Sequence, residues 1–170
     1  MQPSLYDASI PGYRDGLRGL LGILDKTAAH LGGRDESELL GQSLAERLFP
    51  LGRQVIAACG HAEKDPALAA GIDPPRAIDG PTLSIVALRR RVVAALEFLL
   101  AVEPERLNGG ADREIPHGGH LMKASEYILR HSLPHFYFHL TIVYVTLRQN
   151  GVPIGKPDFL GTAQPGAVAA

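Results

Sequence analysis

From Ser125 to Asn150 the chain runs roughly 25 residues before it meets a stop signal, Gly151 followed by Pro153. Its middle, Phe136-Tyr137-Phe138-His139-Leu140-Thr141-Ile142-Val143-Tyr144-Val145, is aromatic and β-branched, a composition that by itself favours a strand. Length overrules composition, because strands rarely exceed about ten residues. The segment is therefore predicted to be a helix, kinked at Pro134, whose ring removes a backbone donor. Its apolar residues cover more than one face, so the helix is buried on most sides. Neighbouring helices supply that cover, and the same helix is expected to line a homodimer contact.

Three further helices are predicted. Leu17, Leu20, Leu21, Leu24 and Ala28 recur at steps of three and four. They mark a helix from about Ser9 to His30, with Pro11 in its first turn and Gly32-Gly33 at its end. Residues 34–49 read as a short helix or irregular linker closing at Phe49. Pro50 opens a second helix to about Ala70, and Pro66 is expected to kink or split it near Asp65. A loop covers residues 71–81. Thr82 is the expected N-cap of a third helix to about Val102, with Leu83, Val86, Val93, Leu96 and Leu100 on its apolar face. Glu114 to Met122 reads as a hairpin turning at Gly118-Gly119. The fold class is all-α: a four-helix bundle of antiparallel neighbours, with a small β-hairpin before the last helix. One domain is expected over 1–160, followed by a flexible tail over 161–170.

The charge balance removes several functions. Lys plus Arg number 17 and Asp plus Glu 18, a formal net charge of −1. Such a chain has no electrostatic footprint for nucleic acid or an anionic membrane. Arg89-Arg90-Arg91 reads as a solvated helix face. A single cysteine, Cys59, allows no intrachain disulfide and fits a reducing cytoplasm. Neither a leader nor an apolar run of about 18 residues is apparent, so a cytoplasmic, non-membrane protein is expected.

Within the last segment His131, His135 and His139 repeat every four residues. Residues four apart share one helix face, so His135 and His139 can share a divalent ion. A third ligand must come from another helix. His61 is the best candidate, because Ala57 and Ala58 beside it leave room for a pocket. Three histidines without a fourth protein ligand leave a position open for water or substrate. Affinity order favours Cu²⁺, Ni²⁺ or Zn²⁺ at such imidazoles, and Zn²⁺ or Ni²⁺ is the expected ion. His131 is expected to satisfy the kinked turn, and His117 and His120 to lie solvated at the hairpin tip. His30 suits the dipole at the first helix C-terminus. Cys59 and His61 project about 200° apart on a helix, so Cys59 reads as a buried apolar group. Arg53 and Gln54 are pocket or surface groups, and Tyr137 and Tyr144 core or dimer-seam residues. Glu126 stands more than three turns from His139, and no general base is assigned. The competing reading is a metal-free bundle whose histidines line a small-molecule pocket or a dimer contact.

The stretch Leu147-Arg148-Gln149-Asn150-Gly151-Val152-Pro153 after His139 resembles the end of the last helix in the DinB/YfiT-like superfamily. Ser4-Leu5-Tyr6-Asp7-Ala8-Ser9-Ile10-Pro11 and Phe49-Pro50-Leu51 with Arg53-Gln54-Val55 are more specific. With Leu133 to His139 and Gly155-Lys156-Pro157-Asp158-Phe159-Leu160, they are similar to a bacterial family of unknown function within that superfamily. The resemblance spans nearly the whole chain. It implies a bundle with up-down-down-up connections, often dimeric. It also implies a metal site with one histidine from the second helix and two from the last, here His61, His135 and His139. Superfamily activities include thiol-cofactor-dependent transfer and isomerisation. A metal-dependent hydrolase or thiol-dependent transferase is the corresponding expectation.

Overall fold

A computed structural model describes residues 3–75 and 84–162. Four long helical stretches form the bundle: α1 (Leu5–Leu31), α3 (Leu51–Ala70), α4 (Ile85–Ala101) and a last stretch made of α6 (Ala124–Tyr127), a π-helical turn (Ile128–Ser132) and α7 (Leu133–Gln149). Short helices α2 (Ser37–Gly41), α5 (Pro104–Gly109) and α8 (Lys156–Phe159) and the hairpin β1 (Glu114–His117) and β2 (His120–Lys123) complete the described residues. None of the helices is long and apolar enough to cross a membrane.

Helix α1 begins a turn earlier than periodicity predicts. Ser4 caps it by accepting from the Asp7 amide, and Asp7 answers by accepting from the Ser4 amide. Pro11 lies inside the helix, and Gly32 ends it in the left-handed conformation at φ 57°. Helix α3 continues unbroken through Pro66, so the expected split at Asp65 is absent. Ser84 caps α4; the expected cap Thr82 and the face residue Leu83 lie outside the described residues, as do 163–170 of the expected tail. The hairpin forms in the expected place, with Gly118 and Gly119 at φ 57° and 83° and His117 paired with His120.

The expected apolar face of α4 is the wrong one. Ile85, Leu88, Val92, Ala95 and Leu99 are buried, whereas Val86, Val93 and Leu100 are 57%, 39% and 61% exposed. The helix carries apolar residues on both sides, and a buried ion pair decides which faces inward. Arg91, read from sequence as solvated, lies in the core and donates to Glu63 of α3 through both terminal guanidinium nitrogens, Nη1 and Nη2. A bidentate pair of this kind tolerates burial because each charge is matched and hydrogen-bonded.

Residue pairs between helices give their directions. Asp25 pairs with Arg89, and the Tyr6 amide reaches Asn108 beyond the end of α4, so α1 and α4 are antiparallel. Gln54 meets His139 while Asp65 meets Tyr127, so α3 and α7 are antiparallel. Tyr13 meets Ser132, and a Cβ on Gly16 would reach Phe136 and Leu140, so α1 and α7 run parallel. Glu63 meets Arg91, and Ala69 meets Gly110, so α3 and α4 also run parallel. The helices therefore go up, down, down and up. Two neighbouring pairs are parallel, as the up-down-down-up order implied by the family resemblance requires, where the hydrophobic pattern alone predicts antiparallel neighbours. The core fills the space between them, with Tyr13, Leu17, Val55, Ala62, Leu88, Leu99, Phe136 and Leu147 buried.

Gly110 closes α5 against the end of α3 and sets the start of the hairpin. A Cβ there would stand 1.9 Å from the Ala69 carbonyl oxygen, whereas one on Gly109 meets nothing within 4 Å. Gly110→Ala is expected to lower unfolding free energy by about 2 kcal/mol in urea titration, and Gly109→Ala to be neutral within about 0.5 kcal/mol.

Candidate metal centre

Five of the seven histidines form one array where α3, the π turn, α7 and β1 meet. Antiparallel packing of α3 on α7 brings His61 opposite His135 and His139, with ring centroids 5.3 Å and 5.5 Å apart. Two imidazoles bound tetrahedrally to one ion through Nε2 have centroids about 5 Å apart, given metal–nitrogen bonds of about 2.0–2.1 Å. The spacing of His61 to each of the other two rings thus matches a shared ion, and the structure places His61 beside both His135 and His139. Among the described residues no group of three or more His, Cys, Asp or Glu side chains is disposed, as these side chains stand, to hold a metal ion. The fit accordingly rests on ring spacing and on the state of the ring nitrogens.

Each Nδ1 faces an oxygen. His61 Nδ1 stands 2.8 Å from Asp65 Oδ2, and His135 Nδ1 2.8 Å from the His131 carbonyl oxygen. His139 Nδ1 stands 2.6 Å from Gln54 Oε1. The Gln54 amide nitrogen donates at 2.9 Å to the Phe49 carbonyl, which leaves Oε1 as the acceptor facing His139. Carboxylate, carbonyl and amide oxygens only accept, so in each neutral ring the proton sits on Nδ1. Every Nε2 then carries a lone pair, the tautomer a metal requires.

Two of these oxygen partners were not assigned from the sequence. Asp65 is buried, and besides His61 it accepts from the Tyr127 hydroxyl at 3.3 Å. Burial, followed by the nearby Asp65 charge, pushes the Tyr127 hydroxyl up to about 12. The spacing His61-x-x-x-Asp65 was the available signal, obscured by reading Pro66 as a break. Gln54 turns out to be a buried positioning group, rather than a surface residue. Glu126 instead pairs with Arg130 on the outside of the helix.

His131 also differs from expectation. The irregularity of the last helix lies in the π turn at Ile128–Ser132, one step before Pro134. That extra residue in the turn swings His131 into the array, 4.1 Å from His135 and 4.1 Å from His117 of the hairpin. His120 lies further out, 6.2 Å from His117. The array opens to solvent beside His135, at a pocket of about 280 Å³ lined by Pro134, His135 and Phe138. Phe49 stacks 6.5 Å from His139. Tyr137 donates to the Gly12 carbonyl, and Tyr144 packs edge-on against Phe159. Cys59 is fully buried and pushed up to about 12 by that burial, so it contributes nothing to this site.

Burial pushes the His139 imidazole down to about 4, helped by His61 and His135. Burial also lowers His131, aided by His135 and His117. The folded chain therefore holds His139 neutral where the unfolded chain, near 6.5, takes up a proton. Stability from this group is present above about 6.5 and is lost as pH falls from 6.5 toward 4. Chelator-treated protein is expected to show a melting temperature that falls across this window, with a shallower fall in His139→Gln. Nitrogen-15 spectra of the neutral rings are expected to place His61, His135 and His139 in the Nδ1–H tautomer.

Residues 5–160 match the family model described as Domain of unknown function (DUF1993). The crystal structure of a DinB family member protein from Shewanella denitrificans matches with a TM-score of 0.85 and 32% sequence identity. That match covers 96% of this chain and 95% of the other. No curated protein matches the sequence.

Proposed function

The chain belongs to the DUF1993 family and has the fold of a DinB family member, and from that premise we propose that it binds one divalent metal ion through Nε2 of His61, His135 and His139. The observation that carries this reading is the set of three Nδ1 contacts, to Asp65, the His131 carbonyl and Gln54. Oxygen acceptors behind ligating histidines orient the rings and raise their basicity.

A bound Zn²⁺ or Ni²⁺ ion would supply Lewis acidity at an open position, the chemistry that activates water or a thiol. The chain itself provides the rest. Asp65 and Gln54, both buried, hold His61 and His139 in place. Pro134 and Phe138 give the mouth at His135 an apolar wall, which suits a small organic substrate with a polar reacting end. Metal-dependent hydrolysis or thiol transfer are the two activities that fit, and the thiol reading rests on fold-level analogy.

Untagged protein that has never met a nickel column is expected to carry about one ion per chain by elemental mass spectrometry, and His139→Ala none, with an unchanged circular dichroism spectrum. Metal absent from both samples, with no Zn²⁺ uptake by calorimetry, would remove this reading in favour of a metal-free ligand-binding bundle. Gln54→Leu deprives His139 Nδ1 of its acceptor, and is expected to weaken Zn²⁺ binding roughly 10- to 100-fold.

A further inference from the structure

Helix α4 presents an outer face that none of the other described residues covers. Its outward residues are Val86, Ala87, Arg90, Val93, Ala94, Glu97, Leu100 and Ala101. Val86, Val93 and Leu100 form one row at a spacing of seven, and Ala87, Ala94 and Ala101 form the row beside it. Arg90 and Glu97 sit between the rows, and neither has an ion-pair partner among the described residues. A shallow groove of about 410 Å³ runs along the face, bounded by Val86, Arg89, Arg90, Val93, Ala94 and Glu97. Arg89 is drawn aside to Asp25 of α1 at 2.5 Å, which leaves the seam to the other residues.

This pattern is complementary to itself. A second α4 laid antiparallel, with a two-fold axis between Val93 and Ala94, sets Val86 opposite Ala101 and Ala87 opposite Leu100. It also sets Val93 opposite Ala94 and Arg90 opposite Glu97. Each large residue meets a small one, and each positive charge meets a negative one, all along the helix. Two-fold interfaces use the same patch on both subunits, so a patch has to complement its own image. Alanines in register opposite bulkier residues let two helices approach closely and interdigitate. We propose that this face is a homodimer interface, in which α4 packs antiparallel against α4 of a second copy and two Arg90–Glu97 pairs fix the register. The proposal is independent of the histidine site, which lies at the α3–α7 seam.

A helix of 17 residues spans about 25 Å, so one helix pair gives a contact at the small end of specific interfaces. Association is therefore concentration-dependent. Sedimentation across about 5 to 500 µM is expected to show mass rising from one chain to two, with a micromolar dissociation constant. Arg90→Glu and Glu97→Arg each place like charges opposite one another twice, and each is expected to weaken the dimer about tenfold or more. The double variant restores opposite charges and is expected to return within about threefold of the wild type. All four residues of the two pairs are exposed, so circular dichroism and melting should be unchanged. A chain that stays monomeric throughout this range overturns the proposal. So does a dimer indifferent to Arg90→Glu, which would put the seam elsewhere, such as the exposed Tyr137 and Phe138 of the last helix.

Discussion

The hydrogen bond from His139 Nδ1 to Gln54 Oε1, inside the seam between α3 and α7, ties the fold to its histidine array. Both residues are buried, and buried polar groups have to find partners. Each satisfies the other, and the Phe49 carbonyl takes the remaining amide donor of Gln54. The register of α3 on α7 follows. With Gln54 fixed against His139, His61 lies two turns along α3 beside His135 and His139, and Asp65 lies one turn further, at Tyr127. A slip of one turn would take the His139 ring from Gln54 Oε1 and the Tyr127 hydroxyl from Asp65, leaving each buried group one hydrogen bond short at a cost of about 1–3 kcal/mol.

Two irregular pieces extend the array beyond that seam. The π turn inserts one residue before Pro134 and so rotates His131 onto the face of His135. The hairpin, started at Gly110 and turned at Gly118-Gly119, carries His117 to the same place. Neither regular helical spacing nor hairpin register alone predicts this meeting, because the partners are far apart in sequence and meet only through packing.

The buried pair Arg91–Glu63 explains the misreading of α4. Both faces of that helix carry aliphatic residues, and a sequence pattern ranks them by hydropathy alone. Three consecutive arginines look like the solvated side. In the fold Arg91 is turned inward because Glu63 on α3 is placed to neutralise it. The neighbouring aliphatic side consequently faces out, and its heptad rows of large and small residues are the basis for a two-fold seam.

The sequence by itself determined the class of fold, the approximate helices and the hairpin, and it singled out His61, His135 and His139, which the fold places side by side. These depend on local signals: periodicity, glycine and proline punctuation, and residues four apart on one face. Hydrophobic pattern alone did not determine the parallel pairing of α1 with α7 and α3 with α4, which only the family resemblance implied, nor the inward turn of Arg91 or the contacts of Asp65 and Gln54. It did not determine the position of His131 either. Tertiary structure decided these because each is settled between helices. Burial makes an unpaired polar group or charge costly, so partners remote in sequence choose which way a side chain faces.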